Sequence, residues 1–185
     1  MQPSECLRRV GTLVRERLPS ELRAFRYESI SFQSKLWYGN KDLHYEIWSR
    51  ERLGTIEIGL HFEADPLTNA RLLAAFTGNA RAIRRGLGEA RIEEWDRGWA
   101  RVWEPLPHRK ADESLAQELA ERIAAYVTTL EPILRRELPS DVAWSEAACP
   151  PRRATDRAAK PLQKAEARSP KARAAAPSRA SRSAR

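Results

Sequence analysis

Long apolar runs are absent from this chain, and so are the short motifs that announce a common activity. No stretch approaches the roughly 18 to 20 apolar residues that a membrane-spanning helix needs. The opening MQPSECLRRVGTLV lacks the apolar core of a secretory signal, so a cytoplasmic protein with no membrane partner is expected. Cysteine is scarce: Cys6 and Cys149 stand far apart, with no C-x-x-C pair and no zinc-finger spacing. This predicts two free thiols in a reducing compartment. Only 8 glycines occur, and no Gly-rich phosphate loop is built from them, which argues against nucleotide binding. G-x-S-x-G and H-E-x-x-H are also missing. No internal repeat is present and no cofactor is expected.

Positive charge is what the chain has in excess, and all of that excess sits at one end. The 185 residues carry 33 Lys+Arg against 25 Asp+Glu, a net +8. Residues 148–185 hold 11 of the bases and 2 of the acids, a balance of +9, which leaves −1 for residues 1–147. The basic isoelectric point therefore says nothing about a binding face on the body. Two parts are expected: a globular domain over 1–147 and a disordered Ala/Arg/Pro/Ser-rich tail over 148–185. Leu162 is the only large aliphatic residue in the tail, too little to offset the entropy of ordering it. The tail cations are Arg152, Arg153, Arg157, Lys160, Lys164, Arg168, Lys171, Arg173, Arg179, Arg182 and Arg185. Spaced by small residues, they resemble the tails of linker-histone-like and nucleoid-associated proteins, which grip phosphates without reading bases. An idle or solubilising extension has the same composition.

Within the body, Leu7, Val10, Leu13, Val14 and Leu18 recur at helical spacing, with Ser4 as the expected N-cap and Pro19 as the stop. An extended segment is expected through Phe32 and Lys35 to Tyr38. Leu43, Tyr45 and Ile47 then alternate with polar neighbours, as do Ile56, Ile58, Leu60 and Phe62, predicting a hairpin. Its register is arguable. Setting Ile47 opposite Ile56 would put Glu46 opposite Glu57, an unfavourable like-charge pair. A two-residue shift sets Ile47 opposite Ile58, Glu46 opposite Gly59 and His44 opposite His61, and this register is preferred. Asp65 and Pro66 open a helix with Leu73, Phe76, Ala80, Ile83 and Leu87 on its buried stripe, ending at Gly86 or Gly88. Asp96-Arg97-Gly98 turns a second hairpin pairing Glu93 with Arg101 and Arg91 with Trp103. A break at Pro105-Leu106-Pro107 precedes a last helix over about 112–138, which Pro132 should kink or restart. The implied fold is α+β: a two-layer domain whose antiparallel sheet, two hairpins plus an extended segment, packs on three helices.

Two constellations stand out. On the polar face of the first hairpin, His44 and His61 face each other beside Glu46 and Glu63, with Asp42 and Glu57 as a second ring. Two imidazoles and a carboxylate suit zinc or iron with an open position. An apolar-in, polar-out strand also gives such a face with no function at all. The restriction-nuclease arrangement is not met, because Trp48, Gly59 and Asp65 occupy the positions where its lysine would follow Glu46, Glu57 and Glu63. On the second hairpin, Arg91, Trp95, Trp99, Arg101 and Trp103 suit a platform for stacked bases or a peptide, a subunit interface, or plain packing.

The run from His44 to Leu138 resembles an uncharacterised bacterial domain family sometimes found at the C-terminus of nuclease-related proteins. The paired strands, Asn69 ahead of Leu72-Leu73, Ile83 ahead of Leu87-Gly88, Trp99-x-Arg101 and the long last helix carry the resemblance. These residues form a fold, so the resemblance implies an architecture and no site residue. The leading functional expectation is a non-enzymatic binding module for a protein partner or a second copy, with loose nucleic-acid affinity from the tail. The rival is a small metal-dependent enzyme using His44, His61 and Glu46 or Glu63. If the tail is the nucleic-acid contact, the full chain retains DNA on a low-salt gel, loses it steeply as salt rises, and residues 1–148 alone retain none. Equal retention by both proteins would place the contact on the body.

Overall fold

In a computed structural model that describes residues 1–145, the alternating segments become strands and the apolar stripes become helices. In chain order the elements are α1 (Pro3–Arg17), a 3₁₀ turn (Ser20–Leu22), β1 (Arg26–Ser29), β2 (Gln33–Trp37), β3 (Leu43–Arg50), a second 3₁₀ turn (Glu51–Leu53) and β4 (Thr55–Phe62). There follow α2 (Pro66–Gly78), α3 (Ala80–Leu87), β5 (Arg91–Glu94), a third 3₁₀ turn (Asp96–Gly98), β6 (Ala100–Pro107) and α4 (Glu113–Glu137). The strands form one six-stranded antiparallel sheet in the order β1-β2-β3-β4-β6-β5. Helices pack on the face that carries Tyr45, Ile47, Ile58, Leu60 and Phe62, and the fold is α+β. Among the described residues no helix is long and apolar enough to cross a membrane. Cys6 is a buried free thiol, and Cys149, with every tail cation named above, lies outside the described residues.

The central register is the one that separates the glutamates: His44 pairs with His61, Glu46 with Gly59 and Ile47 with Ile58. Gly54, at φ 65°, closes the loop between β3 and β4 in the left-handed region. The second hairpin also has its expected pairs, Glu93 with Arg101 and Arg91 with Trp103. Both Arg97 (φ 60°) and Gly98 (φ 75°) are left-handed there, the condition for a type I′ turn.

Several expectations need correction. The single extended segment is a hairpin, with β1 folding onto β2 through Ile30 to Phe32 and the Ile30 amide donating to Gln33 at 2.8 Å. That turn contains no Gly, Pro, Asn or Asp, and Ser31 alone is a weak turn signal between two large apolar residues. Gln2, not Ser4, is the N-cap of α1, because Pro3 fixes the first helical residue. The expected middle helix is two helices, which makes four in all. Gly78 weakens the junction, and the Asn79 side chain donates to the Ala75 carbonyl at 2.8 Å, capping α2. Leu72 rather than Leu73 is sealed on its inner side.

Residues 105–107 are no break either, since β6 pairs with β4 all the way to Pro107. The His108 amide donates to Gly54 at 2.9 Å, so by alternation Pro105 and Pro107 turn their missing N–H away from β4. On that side β5 has already ended, and no ladder bond is lost. Finally, α4 runs through Pro132 without restarting. Glu131, fully buried, accepts from the Tyr45 hydroxyl at 3.0 Å, and Leu130, Ile133 and Leu134 are buried beside it. Packing on the sheet holds the helix where the backbone bond is missing.

Gly59 shows how tight the sheet is. A Cβ there would lie 2.6 Å from the Val102 carbonyl oxygen and 2.7 Å from Trp103 Cβ. Gly59→Ala should therefore destabilise the protein by about 1–3 kcal/mol, read as a lower urea midpoint with an unchanged slope. An unchanged midpoint would show that β4 and β6 are not packed this closely.

Candidate functional site

Strand pairing lays the outer sheet face out in rows. One row crosses β1 to β5 as Arg26, Trp37, His44, His61, Arg101 and Glu93. The next reads Glu28, Lys35, Glu46, Gly59, Trp103 and Arg91. Polar residues alternate outward, as the strand period demands, yet this is no ordinary solvated face. His44 is 1% exposed, His61 2%, Glu46 3%, Arg101 6% and Glu57 7%. The large side chains of the rows seal one another: Trp37 and Trp103 are buried here, apart from the main core.

The imidazoles of His44 and His61 stack with centroids 5.6 Å apart and planes 12° from parallel. Trp95 meets His61 edge-on at 5.4 Å and is itself packed against Trp48 and Trp99. His44 Nδ1 lies 2.8 Å from the Lys41 carbonyl, which can only accept, so that nitrogen carries the hydrogen. In the neutral ring Nε2 is then a lone pair, pointing at Glu46 Oε2 (3.3 Å) and Glu63 Oε1 (3.9 Å). His61 Nδ1 is 3.7 Å from the same Glu63 oxygen and, though buried, has no hydrogen-bond partner. Donor atoms of His44, His61 and Glu63 all lie within 4.8 Å of one another.

Glu46 is the most constrained carboxylate of the group. It accepts from Gln33 Nε2 at 3.0 Å and is 3.3 Å from the Lys35 ammonium. Burial alone would raise its pKa, but the hydrogen bond and charge that His44 offers when its ring is protonated, the corresponding charge of His61, and the Lys35 ammonium outweigh it and lower the value from 4.5 to about 2. Glu63 is lowered too, burial again being offset by His61, His44 and Lys35. A depressed carboxylate stabilises the fold above its unfolded value and ceases to as the pH falls through its folded one. The Glu46 contribution is thus complete above pH 4.5 and lost toward about 2.

Beside this cluster, Arg101 forms a closed network. It donates to Glu57 at 3.0 Å and to Glu93 at 2.8 and 3.1 Å, while its guanidinium lies 3.8 Å from the Trp103 ring centroid and 4.7 Å from that of Trp95. Glu93 also accepts from the Trp103 indole at 2.6 Å, and Glu57 from Arg50 at 2.7 Å.

The structure therefore brings His44, His61, Glu46 and Glu63 together as expected and divides the rest. Glu57 belongs to the arginine network and not to the histidines. Asp42, exposed, meets Glu63 only through its backbone carbonyl. Of the platform residues, Arg101 and Trp103 are consumed by their neighbours, Trp95 and Trp99 are half-buried, and Arg91 is exposed. Lys35 was missed. It sits opposite Glu46 and bridges Glu46 and Glu63 at 3.3 Å each, so the lysine absent from β3 and β4 is supplied by β2. The alternation of Gln33, Lys35 and Trp37 with Ser34 and Leu36 could have revealed it, had the weakly marked β1–β2 turn been placed.

Compared with known proteins, the chain matches no family model, no curated protein and no solved structure. The site must be read from its own geometry. The arginine network gives a direct test of how this face is held. Arg101→Ala leaves Glu57 buried with one partner fewer and should cost about 3–5 kcal/mol. Arg91→Ala, at an exposed position of the next row, should stay within about 0.5 kcal/mol by the same urea titration. Equal effects would mean that the network contributes nothing specific.

Proposed function

We propose that this chain is a metal-binding protein whose centre holds one divalent transition ion on His44 Nε2, His61 Nδ1 and Glu63 Oε1. The observation that supports this most is the orphaned His61 Nδ1, a buried ring nitrogen with no hydrogen-bond partner among the described residues, 3.7 Å from the Glu63 carboxylate. A metal between them would satisfy both. Tetrahedral bonds of about 2.0–2.1 Å put ligand atoms about 3.4 Å apart. The 3.7 and 3.9 Å separations to Glu63 need to contract by a few tenths of an ångström, and the two ring nitrogens, within 4.8 Å of each other, need a larger closure that a small rotation of the stacked rings supplies.

The Lys41 carbonyl already fixes the His44 tautomer, as an outer partner of a ligating histidine does. Two histidines and one carboxylate leave coordination positions for water or substrate, the arrangement of catalytic rather than structural sites. Lys35 beside the centre would favour an anionic ligand such as hydroxide in the open position. The reducing cytoplasm suits the buried Cys6 thiol, and phosphate contact through the tail stays a separate proposal with its own salt titration.

After chelation and dialysis against zinc, the full-length protein should carry one equivalent and His61→Ala none, while Glu63→Gln should bind at least about 100-fold more weakly. Zinc should also raise the Tm of the parent protein and not that of His61→Ala. Less than a tenth of an equivalent in the folded parent, or full binding by folded His61→Ala, would reduce the cluster to an internal ion network and defeat the proposal.

A further inference from the structure

On the helical side, away from the histidines, a cleft of about 420 Å³ opens at the end of the sandwich where α1 and α4 begin. Its floor is Cys6, Leu7, Ile47, Ile56, Leu115 and Leu119, each at most 5% exposed. The Cys6 thiol is pushed up by burial and then by the nearby Asp112 and Glu113 charges, so the floor carries no charge. The rim differs from the floor. Phe32 and Met1 stand on it at 51% and 44% exposure, with Ile30 and Leu53 exposed in the adjoining turns. Those are four of the five large hydrophobic side chains exposed among the described residues. Such clustering marks a surface that something covers.

The polar side of the rim is His108, Arg109 and Lys110, opposed by one carboxylate, Glu51. Arg109 is paired with Glu118, while Lys110 is exposed and has no ion-pair partner among the described residues. We propose that this cleft binds a medium-chain aliphatic carboxylate, with the chain on the Leu7/Ile47/Leu119 floor and the carboxylate at Lys110. A concave apolar space in the range of about 300–1,000 Å³ with a few convergent polar groups suits a small ligand. A partner protein would need a broader contact of about 800 Å² per side. The one unpaired cation at the mouth of an uncharged floor selects an amphipathic anion over a neutral lipid. This inference is independent of the metal centre, which occupies the opposite face.

The test uses decanoate and decan-1-ol, titrated into the full chain and followed by amide NMR. Decanoate should bind several-fold more tightly than the alcohol and shift residues of the cleft. Lys110→Glu should abolish that preference while leaving decan-1-ol binding unchanged. Ser49→Phe, which places a ring into the cleft from a half-buried position on its wall, should weaken both ligands by more than tenfold. Unfolding of Ser49→Phe is checked by its amide spectrum, and Lys110→Glu, at an exposed residue, carries the test without it. Indifference of decanoate binding to both variants, or no binding by the parent protein at millimolar ligand, overturns the proposal. So does a concentration-dependent dimer that Phe32→Ser dissociates and decanoate does not, which would give this end of the sheet to a second copy of the chain.

Discussion

Glu46 lies at the middle of the sheet with a glycine opposite it, and much of the outer face depends on that pairing. A carboxylate directly across from Glu57 would be repelled in low dielectric. The alternative register removes the repulsion and sets His44 against His61. Gly59 serves a second ladder as well: on its other side it faces Trp103 of β6, and having no side chain it leaves room for the indole, which reaches Glu93 and supports Arg101. A slip of β3 by two residues would lose the histidine pair, and a side chain at position 59 would crowd Trp103.

The outer face is a second, polar core without a second layer of helices. Burying this many charges is tolerable only if each has a partner. Arg101 satisfies Glu57 and Glu93, Lys35 serves Glu46 and Glu63, and Arg50 completes Glu57. The arrangement is least satisfied at the two histidines. His61 Nδ1 makes no hydrogen bond among the described residues, whereas His44 Nδ1 is committed to the Lys41 carbonyl. In a face otherwise so fully paired, His61 Nδ1 and His44 Nε2, beside the Glu46 and Glu63 carboxylates, are where added positive charge would be satisfied.

Legibility in the sequence followed the strength of local signals. The β3–β4 and β5–β6 registers were readable because strict alternation left few choices and charge repulsion removed one of them. The β1–β2 hairpin was not, since Ile30-Ser31-Phe32 offers only Ser31, a weak turn former between two large apolar residues. Its tertiary purpose, delivering Lys35 to the glutamates, was hidden with it. Pro105 and Pro107 read as a break because the sequence cannot show that β5 stops before reaching them. Pro132 read as a kink or a restart, and the restart does not occur because Glu131 and Tyr45 meet across the layer interface, a contact the sequence cannot show. The histidine pair was legible as neighbours, but their burial was not, for it comes from tryptophans contributed by three other strands and turns.

The chain has only three histidines, so each imidazole can be followed singly. Long-range ¹H–¹⁵N NMR of the imidazole nitrogens during a zinc titration reports each ring separately. If the metal centre is as proposed, His44 Nε2 and His61 Nδ1 move together to the shifts of metal-bound nitrogen, saturating at one equivalent, while His44 Nδ1 keeps its proton and His108 stays unchanged. Unperturbed His44 and His61 rings, or a response confined to His108, would contradict it.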